Sequence, residues 1–281
     1  MNKLIITADD YGMCPQVNEA IEKCVASKAV QSTNVMVNMS CCNEAAELKK
    51  KFPYLSVGLH YNFTVGSPIS ATDKVSSLVD KDGVFLSYND IRNACKNKTY
   101  DFNQVKTEIK AQYERFVEIS GEPDYWNTHQ NVHVYPDIYN VFRDASLSLN
   151  IKRMRSHQRI YVPSSTGKSD KSLKWTLTDP IKRRMLNLWQ KKSYELGVQS
   201  PNGVLVIMLE KDKLNPEYVF GNIQWKKNTA AELVIHPSIS AEGEFFGKIT
   251  QARVDEFNLF SDNNIVSLAE SFGVEISNFI F

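Results

Sequence analysis

The sequence has no surplus of charge, with 33 Lys and Arg against 32 Asp and Glu in 281 residues. A balanced chain builds no whole-molecule field for nucleic acid or an anionic membrane, so neither is an expected partner. Long apolar runs are also missing: nothing approaches the ~18 residues of a membrane span, and the opening run from Leu4 to Ile6 is soon broken by Asp9 and too short for a secretion signal. A soluble, cytoplasmic protein is expected. No CxxC pair occurs among the five cysteines, Cys14, Cys24, Cys41, Cys42 and Cys95, which excludes a cysteine zinc cluster and a complete set of internal disulfides. Cys14 lies near an acidic pair, but with no second cysteine at metal spacing it is not taken as a ligand. No GxGxxG or GxxxxGK[ST] follows an apolar run, which argues against dinucleotide and P-loop sites. There is no internal repeat and no linker long enough to separate domains.

What is present is a chain able to bury a large core: 42% of its residues are hydrophobic, and its length suits one large α/β domain. After the apolar start, Pro15 opens a helix whose Val17, Ile21, Cys24 and Val25 share a face. Ser32 to Asn38 is rich in β-branched residues and reads as a strand, and Ala45 to Lys51 as a short helix stopped by Pro53. Leu55 to Leu59 is a third strand that delivers His60. The excursion from Thr64 to Ser87 carries Gly66, Pro68 and an Asp82-Gly83 hairpin signal, and long loops over a site often hold substrate. Asn103 to Ser120 keeps helical spacing, with Asn103 as cap and Gly121 as stop. Asp124 to Asn127 is a fourth strand that leads to His129 and His133, before Pro136 opens another helix. Asn150 to Met154 runs into Arg155.

From Ser156 to Ser200 the pattern weakens into an insertion that holds one amphipathic helix, Pro180 to Leu196, with Ile181, Met185, Leu188 and Trp189 on one face. Its Lys182, Arg183 and Arg184 are read as a solvated face. Strands return at Gly203 to Leu209 and at Ala231 to Ile235, the second ending on His236-Pro237, with a helical stretch from Tyr218 to Lys226 between them. Helices at Gln251 to Phe260 and Asn264 to Phe272 precede Val274 to Ile276.

Strand and helix thus alternate about seven times with short connections, the pattern of a parallel sheet, open or closed. Closure into a barrel is expected because chemically capable residues end five apolar runs: Asp9 and Asp10, His60, His129, Arg155 and His236. In a barrel those ends converge on one mouth. One carboxylate and two imidazoles from separate strands suffice to hold a divalent cation with positions left open. His157, beside the insertion, is taken as structural. His133 is read either as support behind a ligand or as a substrate contact.

Four stretches, TADDYG, VGLHYNFTVGSP, NTHQNVHVYP and IHP, occur in an order that resembles the signature blocks of the YdjC-like carbohydrate deacetylases, the family that includes the chitooligosaccharide deacetylases. The resemblance implies a deformed, TIM-like (β/α) barrel and a metal-dependent hydrolase that removes acetyl groups from N-acetylated sugars. It makes Asp10, His60 and His129 the metal ligands, Asp9 the base and His236 the acid. The family commonly has an aspartate where this chain has Asn127, which is expected to accept a hydrogen bond from His129, now uncharged. The insertion at 156–200 matches poorly.

Amide hydrolysis needs an activated water, support for a tetrahedral oxyanion and a proton for the leaving amine. Arg155 can hold the base or help the oxyanion, or be an ordinary surface ion pair. Tyr11, Tyr61 and Trp126 adjoin site positions, and their flat faces suit sugar rings, although most such aromatics are core. The ligand set suits Zn2+ by softness, with Mg2+ kept open, and a homo-oligomer is left open as well. Two other readings stand beside this one. A metallo-phosphodiesterase or endonuclease would need more ligands and a basic rim, and a non-catalytic sugar-binding barrel would have lost a ligand or the base.

Overall fold

The computed structural model describes residues 2–158, 160, 180–206, 215–223, 225, 230–262 and 264–280. Among them the strands are β1 (Asn2–Tyr11), β2 (Ser32–Val35), β3 (Ser56–Tyr61), β4 (Trp126–Thr128), β5 (Gly203–Val206), β6 (Ala230–Ile235) and β7 (Val274–Ser277). The helices are α1 (Pro15–Ala26), α2 (Leu48–Lys51), α3 (Tyr88–Lys96), α4 (Phe102–Ser120), α5 (Pro136–Ser148), α6 (Pro180–Glu195), α7 (Pro216–Asn222), α8 (Gln251–Phe260) and α9 (Asn264–Ser271).

Every strand pair is parallel, in the order β4-β3-β2-β1-β6-β5, with β7 also on β1. Strands with both faces covered read as near-continuous apolar runs, and Leu4 to Tyr11 of β1 are all buried. One edge of β1 pairs with β6 from Lys3↔Ala230 to Ala8↔Ile235. Its remaining pairings divide between two strands, β7 along Asn2 to Ile5 and β2 from Thr7 to Tyr11.

The ring closes through an irregular segment. Trp126 N donates to Arg153 O at 3.0 Å and Arg155 N to Trp126 O at 3.1 Å. Beyond it, Met154 N donates to Gln199 O at 3.0 Å, while Val204 N donates to Gln158 O at 2.8 Å. Residues 152–158 and 160 therefore bridge β4 to β5 where a regular strand would stand, which gives the deformed (β/α) barrel its shape. One continuous core links residues from Leu4 to Ile276. Among the described residues no helix is long and apolar enough to cross a membrane.

Several boundaries differ from the expected ones. The strand expected to run to Asn38 stops at Val35, and Asn38 Nδ2 instead donates to the carbonyls of Val65 and Ser67. The helix α3 was not anticipated; it starts from Ser87, whose Oγ accepts from Asp90 N. Asp101 caps α4 in place of Asn103, accepting from Asn103 N at 2.7 Å. The 64–87 excursion is pinned to α4, since Ile69 N and Ser70 N donate to the Glu108 carboxylate at 3.0 and 2.9 Å. Among the described side chains of α6 the buried ones are Leu186, Gln190 and Ser193, and Leu188 of the expected stripe is 58% exposed. Trp189 stacks on Tyr139 of α5, and His157 Nε2 meets Leu186 O at 2.8 Å, which packs this part of the insertion against the barrel. Residues 161–179 of the insertion, residues 207–209 of the expected strand, Lys226, and the side chains of Ile181, Lys182 and Arg183 lie outside the described residues.

Candidate metal centre at the barrel mouth

Alternation along a strand should send Asp9 and Asp10 to opposite faces. Between Ala8 and Tyr11, however, β1 takes three steps while β2 takes two, from Thr33 to Val35. The extra residue makes a bulge, which re-aims side chains. Asp10 sits in it at φ 76°, a left-handed conformation that aspartate tolerates better than most residues.

Asp10 Oδ1 lies 3.1 Å from His129 Nδ1 and 3.3 Å from His60 Nε2. Ligand atoms of these three buried residues lie within 4.8 Å of one another. One carboxylate oxygen facing two imidazole nitrogens is a donor set that fits a divalent transition ion. The other carboxylate oxygen accepts from Arg253 Nη2 at 2.8 Å. Burial by itself would raise the Asp10 pKa, but His129 and Arg253 hold it well below the usual value.

Beneath this trio lies a buried charge network. Arg155 Nη1 and Nη2 donate to the two oxygens of Asp9 at 2.7 and 2.6 Å, and its Nε and Nη2 donate to Glu232 Oε1 at 2.9 and 2.8 Å. Arg155 is 2% exposed, which rules out the surface ion pair. Asn34 Nδ2 also donates to Asp9 Oδ1, at 2.6 Å. Burial would raise the Asp9 pKa; the paired guanidinium outweighs it and holds the carboxyl at about 2. Burial pushes the Glu232 carboxyl up, partly offset by Arg155.

His236 Nε2 stands 3.7 Å from Asp9 Oδ2. Its side chain is 16% exposed and that of His129 is 10%, so these two reach solvent while Asp9, Asp10 and His60 do not. Burial lowers the His236 pKa to about 4 despite both aspartates, so its imidazole is neutral near pH 7. Its backbone N donates to Glu256 Oε2 at 2.6 Å, and burial raises that carboxyl to about 8.

Five expected site residues stand elsewhere than anticipated. Asn127 is beside His60, not His129: its side-chain amide lies 2.5 Å from His60 Nδ1. Tyr61 follows His60 and Trp126 precedes Asn127, so alternation turns both rings to the opposite face, under α5. There Tyr61 and Trp126 pack on each other and on Phe142, and both are buried. Tyr11 is buried too, its hydroxyl donating to Glu22 Oε1 at 3.0 Å. His133 folds back beyond Gln130 and Asn131, both in left-handed conformations, until its Nδ1 meets Thr128 Oγ1 at 2.7 Å. None of these four side chains presents a face to a sugar. Arg253, Glu232, Asn34 and Glu256 were missed. Glu232 left one signal, a carboxylate inside the apolar run AAELVI.

A family model described as YdjC-like protein matches residues 3–271. A carbohydrate deacetylase of Danio rerio is 35% identical over 154 residues, 54% of this chain and 49% of that protein. A chitooligosaccharide deacetylase of Yersinia pestis is 34% identical over 160 residues, 55% of this chain and 61% of that one. The chain thus spans about half to three-fifths of the length of these curated relatives. The crystal structure of an Enterococcus faecalis protein, described as a candidate for cellobiose-phosphate cleavage, superposes with a TM-score of 0.75 at 21% identity, over 99% of this chain and 98% of that one. That likeness shows the barrel fold alone. With the family model covering almost its whole length, the chain belongs to the YdjC-like family.

Proposed function

We propose that this protein is a metal-dependent hydrolase that removes the N-acetyl group from an amino sugar or a short N-acetylated oligosaccharide. The observation that carries this reading is the convergence of Asp10, His60 and His129, with Asp9 and His236 facing each other beside them at the barrel mouth. The names of the relatives support the substrate class. A divalent cation held by these three residues supplies Lewis acidity and lowers the pKa of a nearby water. Zn2+ is the better match to one oxygen and two nitrogens, with Mg2+ the second choice.

Asp9 is anionic at neutral pH, so it can take the proton of the attacking water. A carboxyl with a pKa of about 2 holds that proton only briefly. The neutral His236, 3.7 Å away, is the better resting place and then gives the proton to the departing sugar nitrogen. Water's hydroxyl ends on the acetyl carbon, the C–N bond breaks, and acetate and the free amine leave. Arg155 keeps both oxygens of Asp9 fixed throughout, while Arg253 fixes Asp10.

Metallo-phosphodiesterase chemistry has less support, because among the described residues only one cluster offers three such ligands. A binding-only role has less support because Asp9 and His236 are both present beside the trio. A cytoplasmic address belongs to the same reading, supported by five unpaired thiols. The test is acetate release from a panel of N-acetylated mono- and oligosaccharides by the metal-loaded protein. Release from at least one, abolished by chelation and restored by Zn2+ or Mg2+, is expected; no release from any loaded form overturns the reading.

A further inference from the structure

The amide of Asn127 is caught between two incompatible neighbours. On one side is His60 Nδ1, at 2.5 Å. On the other are donors only: with the amide oxygen turned toward them, it accepts from Arg155 Nη1 at 3.1 Å, Arg155 Nη2 at 3.0 Å and Asn34 Nδ2 at 2.9 Å. A carboxamide has one oxygen, so it cannot accept on both sides.

Each orientation dictates a tautomer of His60. When the oxygen faces Arg155 and Asn34, the amide NH2 donates to His60 Nδ1. The ring proton is then on Nε2, the nitrogen aimed at Asp10 Oδ1, where it hydrogen-bonds the carboxylate and leaves no lone pair for a cation. When the oxygen faces His60, Nδ1 carries the proton and Nε2 can ligate. The NH2 then confronts the Arg155 guanidinium and the Asn34 NH2, and in that second state no acceptor faces it among the atoms named.

We propose that Asn127 is a positioning residue that works as a two-position amide latch, its rotation coupled to cation binding at His60. In the cation-free protein it locks His60 in the Nε2–H tautomer, and cation entry turns it over against Arg155 and Asn34. The opposing network weakens cation affinity relative to a residue that accepts on both sides. A carboxylate is such a residue, with an oxygen for His60 Nδ1–H and another for Arg155. The rotation also reaches the base, because Asn34 and Arg155 are the groups that hold Asp9.

The inference rests on the cation site proposed above, but its readouts are independent of deacetylation. The first needs no variant: 15N-detected imidazole spectra of the wild-type protein, at a pH where imidazoles are neutral, give the His60 tautomer. We expect Nε2–H without cation and Nδ1–H with Zn2+; Nδ1–H in both states overturns the latch. The second is the Zn2+ dissociation constant of Asn127→Asp against wild type by competition with a chromogenic chelator. Affinity tighter by about ten- to a hundredfold, the usual weight of a partner behind a ligand, is expected, with His60 already Nδ1–H before zinc is added. Equal or weaker affinity in a folded variant overturns the latch while leaving the cation site standing. A wild-type protein that binds no cation overturns both.

Discussion

Asp9 and Asp10 are adjacent and chemically identical, yet their surroundings differ. The bulge turns Asp10 toward two imidazoles and Arg253, while Asp9 stays on the Arg155 network. Replacing Asp9 by Asn keeps the shape and removes the proposed proton acceptor, so metal content should match wild type while kcat falls by ~10²- to 10⁴-fold. Activity within a few-fold of wild type would remove Asp9 from the base role. For His236→Ala, we expect normal metal content and a large loss of kcat on an amide but a much smaller one on an activated ester, whose leaving group needs no proton. Equal losses on both substrates would count against proton delivery, and loss of metal would make His236 a ligand. In His60→Ala, zinc analysis should find occupancy sharply reduced, and full occupancy would take His60 out of the centre. Asp9, Asp10, His60, His129 and His236 could be picked out in the sequence because each ends or follows an apolar run. Arg253 could not, since its partner Asp10 lies 243 positions away and only the docking of α8 brings the two together.

At the scale of the element, pattern reading succeeded where an apolar stripe was present and failed where burial was sparse. Of the nine residues of α3 only Ile91 is buried, so no periodicity marked that helix. In α6, Gln190 and Ser193 turn inward and Leu188 outward, because the contact with Tyr139 and His157 is made partly through polar groups. The aromatics misjudged as sugar contacts belong here too, since the strand period that aims His60 at the mouth necessarily aims Tyr61 away from it. The strand β3 rests on one close approach. A Cβ at Gly58 would lie 2.5 Å from the ring of Tyr125. That ring has little room to yield: it stacks on Phe279 at 3.8 Å, and its hydroxyl bonds Ser32 Oγ and Thr33 O. Gly58→Ala should therefore cost about 1–3 kcal/mol, read as a lower denaturation midpoint in urea. An unchanged midpoint would mean that the Tyr125 and Phe279 pair is looser than it stands here.

For the molecule as a whole, the parallel sheet could be inferred from alternating elements and its closure from the polar strand ends, whereas the route of that closure through residues 152–158 and 160 could not, because backbone hydrogen bonds leave no side-chain pattern. Buried ionisable groups shape its stability against pH, best measured by urea denaturation in chelator. Asp9 is depressed from 3.8 to about 2, so its contribution is present above pH 3.8 and lost as pH falls through 2; it is on the order of 2 kcal/mol. His236 is depressed from 6.5 to about 4, so its contribution is complete above pH 6.5 and lost on acidification through 4. Glu256 runs the other way: raised from 4.5 to about 8, it contributes fully below pH 4.5 and loses that contribution as pH rises through 8. Between pH 6.5 and 8 Glu256 alone of the three is changing, so wild-type stability should decline there and Glu256→Gln should flatten the decline. A variant that declines as steeply as wild type would acquit Glu256. The divided pairing of β1 has a consequence during synthesis. This strand is made well before its partners at 230–235 and 274–277. Until they emerge, β2 is, among the described strands, the only native partner available to it, and the apolar run from Leu4 to Ile6 shows an open edge to other nascent chains. A chain cut short before residue 230 would therefore carry Asp10, His60 and His129 on a sheet whose first strand lacks two of its partners, an open edge that favours aggregation.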